Sequence, residues 1–190
     1  MAQTTSILKK KKKKWITIVA SREFNSTELG ETFVEETENV VGKVVCANMM
    51  NLVRDAKKQN IQLYFIVTDV KDNIANTELY SYEMVNAFIK RFSKKARERI
   101  DNSFNCISKD NVKFRIKPIL MTKGVAHKSV VTSLRKKSEE LILGYAKQTT
   151  FTEIMKSVII GNMQKDLKTE LKKIYPLNGC MIKSMKKISK

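Results

Sequence analysis

Apolar positions alternate with polar ones along the first two-thirds of the chain and recur at helical spacing in the last third. Trp15–Ala20 reads as a strand. A polar connection follows, with Gly30 inside it and acids at Glu31, Glu35, Glu36 and Glu38. Val40–Ala47 is apolar and β-branched, a second strand, and Met49–Arg54 has the character of one helical turn. In Ile61–Val70, Ile61, Leu63, Phe65 and Val67 alternate with Gln62, Tyr64, Ile66 and Thr68. The second side is only partly polar, which predicts a central strand. Asp72-Asn73 is turn chemistry, and Ile74–Tyr82 returns as its hairpin partner.

A helix is predicted from about Glu83. Val85, Phe88, Ile89, Phe92 and Ala96 gather on one face, and Lys90, Arg91, Lys94 and Arg97 centre on the opposite one. Ser103–Ile107 and Val112–Leu120 form a hairpin around Lys109-Asp110-Asn111. In its second strand Val112, Phe114 and Ile116 point one way and Lys113, Arg115 and Lys117 the other. Same-face neighbours on a strand stand about 7 Å apart, close to the phosphate spacing of a nucleic-acid strand. Pro118 ends the alternation and marks an edge or a bulge. A long helix is expected from His127 to Lys147, with Arg135, Lys136 and Lys137 in its middle. Thr150-Phe151-Thr152-Glu153 is a capping box opening a short helix that ends at Gly161. Another helix, Met163–Ile174, stops before Pro176, and Leu177–Ile182 is a last strand. The order predicts an α+β fold, a mainly antiparallel sheet or barrel packed by helices, with a helical C-terminal third.

Charge changes this picture from a generic fold to a directed one. The chain has 190 residues and a net charge of +18. Residues 1–14 carry six Lys and no acid, in one run of Lys9, Lys10, Lys11, Lys12, Lys13 and Lys14. Residues 15–88 are net −5 (6 basic, 11 acidic), residues 89–137 net +12 (15 and 3), and residues 138–190 net +5 (10 and 5). A polyanion, RNA foremost, is the simplest partner for such self-repulsion. At 42% hydrophobic residues the chain can bury a core, and no apolar run reaches the roughly 20 residues of a membrane span. Cys46, Cys106 and Cys180 make no CxxC pair, which argues against a zinc knuckle. The one histidine, His127, has no visible orienting partner for acid–base work. Glu35, Glu36 and Glu38 read as a solvated acidic loop rather than a divalent-ion site. No P-loop, GxGxxG or HExxH is present. No cofactor and no enzyme activity are expected.

Seven segments, in order, resemble the archaeal and eukaryotic small-subunit ribosomal protein S-three-Ae (S-one-e) family. They are Lys14-Trp15-Ile16-Thr17-Ile18, Leu29-Gly30-Glu31-Thr32, Val41-Gly42-Lys43-Val44, Leu63-Tyr64-Phe65-Ile66-Val67-Thr68-Asp69-Val70, Ala87-Phe88-Ile89-Lys90-Arg91, Leu134-Arg135-Lys136-Lys137 and Ile174-Tyr175-Pro176-Leu177. The resemblance runs from Trp15 to the C-terminal end, nearly the whole chain. It departs at Ser81-Tyr82-Glu83, where the family carries Gly-His-Glu. It implies a β-barrel-like core with peripheral helices. It also implies a structural protein on the platform of the small subunit, near the 3′ end of its rRNA and the mRNA exit side.

The combined expectation is a basic flexible arm (1–14), one ribosomal-protein domain (15–183) and a basic tail (184–190). The domain is β-rich over 15–122, helical over 126–175, with a final strand at 177–183. The partners expected are small-subunit rRNA and neighbouring small-subunit proteins, with mRNA nearby and no membrane, in the cytoplasm on the ribosome. The contacts expected are Lys9 to Lys14, Lys90, Arg91, Lys94, Arg97, Lys113, Arg115, Lys117, Lys123, Lys128, Arg135, Lys136 and Lys137, acting through phosphate neutralisation and counterion release. The arm is expected to order on rRNA. Rival readings are a transient RNA-binding translation or assembly factor, an RNA-processing enzyme using His127 or Glu35, and an anionic-membrane binder. The last leaves the cationic stretch 89–137 without a purpose.

Overall fold

The computed structural model describes residues 13–93 and 97–188. It is a mixed α+β fold with nine strands and five α-helices among the described residues, and its strand pairings do not close into a ring. The chain falls into two compact units. One comprises the chain through Ala47 with Phe65–Leu79, the other Asn48–Tyr64 with the chain from Tyr80 onward. Two long strands, β4 (Ile61–Lys71) and β5 (Ile74–Met84), run through both. The β4–β5 turn uses Asp72 and Asn73 at φ 49° and 62°, the double left-handed geometry of a tight hairpin.

In the first unit, β1 (Lys14–Val19), β2 (Glu28–Val34) and β3 (Val44–Asn48) join β4 and β5 in the order β2-β1-β5-β4-β3. Ile16, Ile18, Val34, Val40, Val67 and Ala75 form its core. Strand β2 lies where a polar connection is expected. Val34 is buried and Leu29 packs against the core, so this run is tied to β1 despite its acids. Gly30, at φ +148°, faces Ile18 beside a register shift that few side chains would tolerate. Strand β3 begins at Val44 rather than Val40. Thr37–Val40 is a 3₁₀ turn, and Gly42 (φ +84°) bends the chain so that its N–H donates to the Val67 carbonyl at 2.9 Å.

The second unit holds α1 (Met49–Val53), α2 (Asn86–Phe92), β6 (Arg99–Asp101), β7 (Phe104–Ile107), β8 (Lys113–Thr122), α3 (Lys128–Gln148), α4 (Phe151–Ile160), α5 (Asn162–Leu171) and β9 (Leu177–Lys187). Strands run antiparallel in the order β5-β9-β8, and β6 and β7 pair along β8. Phe114, Ile116, Met185 and Ile182 are fully buried on one face of β8–β9. The Phe114 ring meets Phe151 of α4 with centroids 5.6 Å apart. Each such side chain contributes roughly 1.5–3 kcal/mol of burial. The capping box is formed: Thr150 Oγ1 accepts from the Glu153 N–H, and Glu153 Oε2 accepts from the Thr150 N–H. Those bonds hold the Glu153 carboxyl below its usual range.

Three sequence expectations change here. The helix expected from Glu83 starts at Asn86, because Glu83 is still in β5 opposite Ser184. It ends at Phe92, with Ser93 extended, so Arg97 is not on its face, and Lys94 and Ala96 lie outside the described residues. It docks through Ile89 and Phe88 onto Ile119 and Met181. A Cβ on Gly179 would overlap the tip of the Phe92 ring, so glycine is what lets this helix sit down. Finally, β9 runs to Lys187 rather than stopping at 183. Residues 184–187 pair with β8 and β5 instead of forming a tail.

Candidate nucleic-acid interface

The register of β8 on β9 determines which cations meet. Arg115 lies opposite Lys186 and Lys117 opposite Ser184, while Ile116 lies opposite Met185. Beyond Lys117 the register shifts by one: Pro118 pairs with Ile182, and Lys183 is the extra residue of a bulge. Pro118, with no N–H to donate, sits where the ladder is already interrupted. On β5, Ser81 lies opposite Lys186 and Glu83 opposite Ser184. Small serines between long cations leave a trough.

Two concavities result, both in the second unit. The first, about 480 Å³, is lined by Arg115, Lys117, Lys186 and Lys187, with Tyr80, Ser81, Ser184 and the single acid Glu83. The second, about 540 Å³, is lined by Arg99, Lys117, Arg135 and Lys183 with the single acid Asp101. Lys117 belongs to both. Arg115 is steered by its Nε, which donates to Asn105 Oδ1 at 2.9 Å, and the Lys186 ammonium stands 5.4 Å from the Tyr80 ring centre. Arg99 grips Asp101 at 2.9 Å, so that acid is spent on one cation. Glu83 accepts from the Tyr64 hydroxyl at 3.3 Å. Seven cations thus face two carboxylates across adjoining hollows. Such concave, one-signed surfaces concentrate a polyanion.

The expected contacts separate into those brought together and those kept apart. Lys113, Arg115 and Lys117 do share the outward face of β8, and Arg135 joins Lys117 at the second hollow. The rest of the Arg135-Lys136-Lys137 cluster does not act as one. Successive residues fan about 100° apart on a helix, and Lys137 is paired with Glu140 at 3.0 Å. Lys90 and Arg91 are exposed on α2, the Arg91 guanidinium 5.9 Å from the Phe88 ring centre. Lys123 and Lys128 are exposed before and at the start of α3. Lys13 and Lys14 lie in the first unit, Lys13 beside Glu35 at 3.9 Å. Lys9 to Lys12 and Lys94 lie outside the described residues. Lys183, Lys186, Lys187 and Arg99 were not foreseen. Their signal is the spacing of Cys180, Ile182 and Met185, apolar steps of two and then three, which is a bulge written in sequence.

His127 is exposed at the N-cap of α3 and makes no capping bond with its side chain. Among the described residues no group of three or more His, Cys, Asp or Glu side chains could hold a metal ion. No helix among them is long and apolar enough to cross a membrane.

The sequence pattern of the ribosomal S3Ae family matches residues 3–190. A protein of Nanoarchaeum equitans called small ribosomal subunit protein eS1 is 32% identical over 166 residues, 87% of this chain and 84% of that protein. Its namesake in Methanocaldococcus jannaschii is 30% identical over 172 residues, 90% of this chain and 78% of that protein. The one from Halorubrum lacusprofundi is 25% identical over 185 residues, 97% and 86% respectively. With a match of this extent across both units, the chain belongs to the ribosomal S3Ae family.

Proposed function

We propose that this chain is a structural constituent of the small ribosomal subunit and that the cationic face of its second unit binds small-subunit rRNA. Its relatives carry the name small ribosomal subunit protein eS1, and the family is one of structural components rather than enzymes. The observation that carries the rRNA part is the pair of hollows joined at Lys117, seven cations against two acids. Arg115, Lys117, Lys183, Lys186, Lys187 and Arg135 neutralise phosphates, with Lys113, Lys90, Arg91, Lys123, Lys128 and Lys136 on the surrounding surface. Binding is mainly electrostatic and largely indifferent to base sequence, since phosphate contacts position without reading. In this reading the protein lies on the platform near the rRNA 3′ end and the mRNA exit side. A barrel-like core with peripheral helices, which the family resemblance implies, belongs to the same reading, although the strands pair in an open order.

The test is sedimentation of cell extract after a moderate-salt wash, with this chain quantified per small subunit. One copy retained per subunit is the expected result. Substoichiometric or wash-released protein would instead indicate a transient translation or assembly factor.

A further inference from the structure

The first unit does not share the positive charge of the chain. By sequence it carries nine acidic and nine basic side chains, net zero, within a chain of +18. On the outward face of its edge strand β2, Glu31 and Phe33 stand at alternate positions, and Glu35 follows one residue past the end of the strand, all three exposed. Across β1, Trp15 lies opposite Phe33 and Thr17 opposite Glu31. Trp15 and Phe33 are 62% and 49% exposed, their ring centroids 4.8 Å apart. Two large rings held together in water and flanked by carboxylates form a surface with a definite chemical preference. The rings attract a cation through their faces, the carboxylates through charge, and a guanidinium satisfies both at once. A phosphate backbone would meet two like charges instead.

The chain itself shows such a cation in place. The Lys13 ammonium stands 5.9 Å from the Phe33 ring centre and 3.9 Å from Glu35 Oε1. Both partners of that ion pair are half-exposed, so a better-placed cation displaces Lys13 at little cost. On the other flank of Phe33, Glu31 has no ion pair among the described residues.

From this we infer that the outward β1–β2 face is a recognition site for the cationic side chains of a partner protein, an arginine- or lysine-rich extended segment. The segment lies along β2, which ends the strand order and has no further strand beside it among the described residues. Its alternate side chains, about 7 Å apart, then fall on Glu31 and Phe33 in turn, with Glu35 just past the end of the strand. The site is independent of the rRNA contacts of the other unit.

Trp15 is the chain's only tryptophan, so its fluorescence reports on this face alone. The full chain is titrated with a peptide alternating arginine and serine, and separately with oligouridylate. The expected result is a saturable change in Trp15 emission with the peptide and none with oligouridylate. The variant Glu31→Gln/Glu35→Gln, both positions exposed, should weaken the peptide response roughly tenfold. A peptide response untouched by that variant, or no response at all, would overturn the inference. So would an oligouridylate response as strong as that of the peptide, which would make the ring pair a base-stacking platform.

Discussion

Arg115 and Lys186 face each other across β8 and β9 and carry half the cations of the first hollow. Replacing both, as Arg115→Ala/Lys186→Ala, should strip RNA affinity of its salt dependence in a countable way. Both side chains are exposed and outside the core, so the folding cost stays within about 0.5 kcal/mol each. Four cations line the hollow. If each neutralises one phosphate of a single strand, this hollow adds about −0.7 per phosphate, roughly −2.8, to the slope of log K against log salt. Raising salt from about 50 to 200 mM then costs the hollow's share of the affinity roughly 50-fold in the unaltered protein and roughly sevenfold in the variant, with two of its cations left. Filter binding of a short single-stranded rRNA fragment across that range measures both slopes. Lys137→Ala serves as a control, because its ammonium is already held by Glu140. A double variant that keeps the full slope would refute the assignment of phosphates to this hollow.

Cys46 is exposed, whereas burial pushes the thiols of Cys106 and Cys180 up to about 12; titration with a thiol-reactive disulfide near pH 8 should therefore give one fast equivalent, with the other two appearing only as the chain unfolds. Thr150→Ala should cost about 1 kcal/mol by urea denaturation, since it removes the N-cap of α4. Because the Glu153 carboxyl is held below its usual range by the Thr150 N–H, its contribution is present above that range and is lost as pH falls through the lowered value. Glu153→Gln should accordingly flatten the acid side of the stability profile; an unchanged profile would count against the capping role. Gly179→Ala should displace the Phe92 ring and destabilise by about 1–3 kcal/mol, and amide exchange in α2 should quicken more than in α4.

What the sequence displays openly is local and repetitive. The alternation from Val112 to Lys117 places Phe114 and Ile116 inside and Lys113, Arg115 and Lys117 outside, as found. Asp72-Asn73 and Thr150-Glu153 are local chemistry with one geometric outcome each, and both are formed. Strand β2 was hidden because a single buried valine and a half-buried leucine must outweigh exposed acids, and only pairing with β1 does that. The reach of α2 was overstated because a cationic stripe is visible in sequence but the extended Ser93 that ends the helix is not. Half of the cationic hollows was invisible for another reason. A run such as Lys183 to Lys187 reads as a solvated end until the neighbouring strand is known, and that neighbour is more than sixty residues earlier in the chain.

The one-residue bulge at Lys183 also decides where β9 can lose a residue. Side chains on a strand obey parity, and the extra residue resets it midway. Upstream, even-numbered Cys180 and Ile182 are buried; downstream it is odd-numbered Met185, while even-numbered Lys186 faces water. Deleting Lys183 alone would therefore remove the bulge and leave both halves in place, with Ile182, Ser184 and Met185 in ordinary alternation opposite Pro118, Lys117 and Ile116. Deleting Met181 would instead put Cys180 and Ile182 on opposite faces. The loss of one residue is thus absorbed at the bulge, whereas the same loss within the regular ladder turns a buried side chain to water.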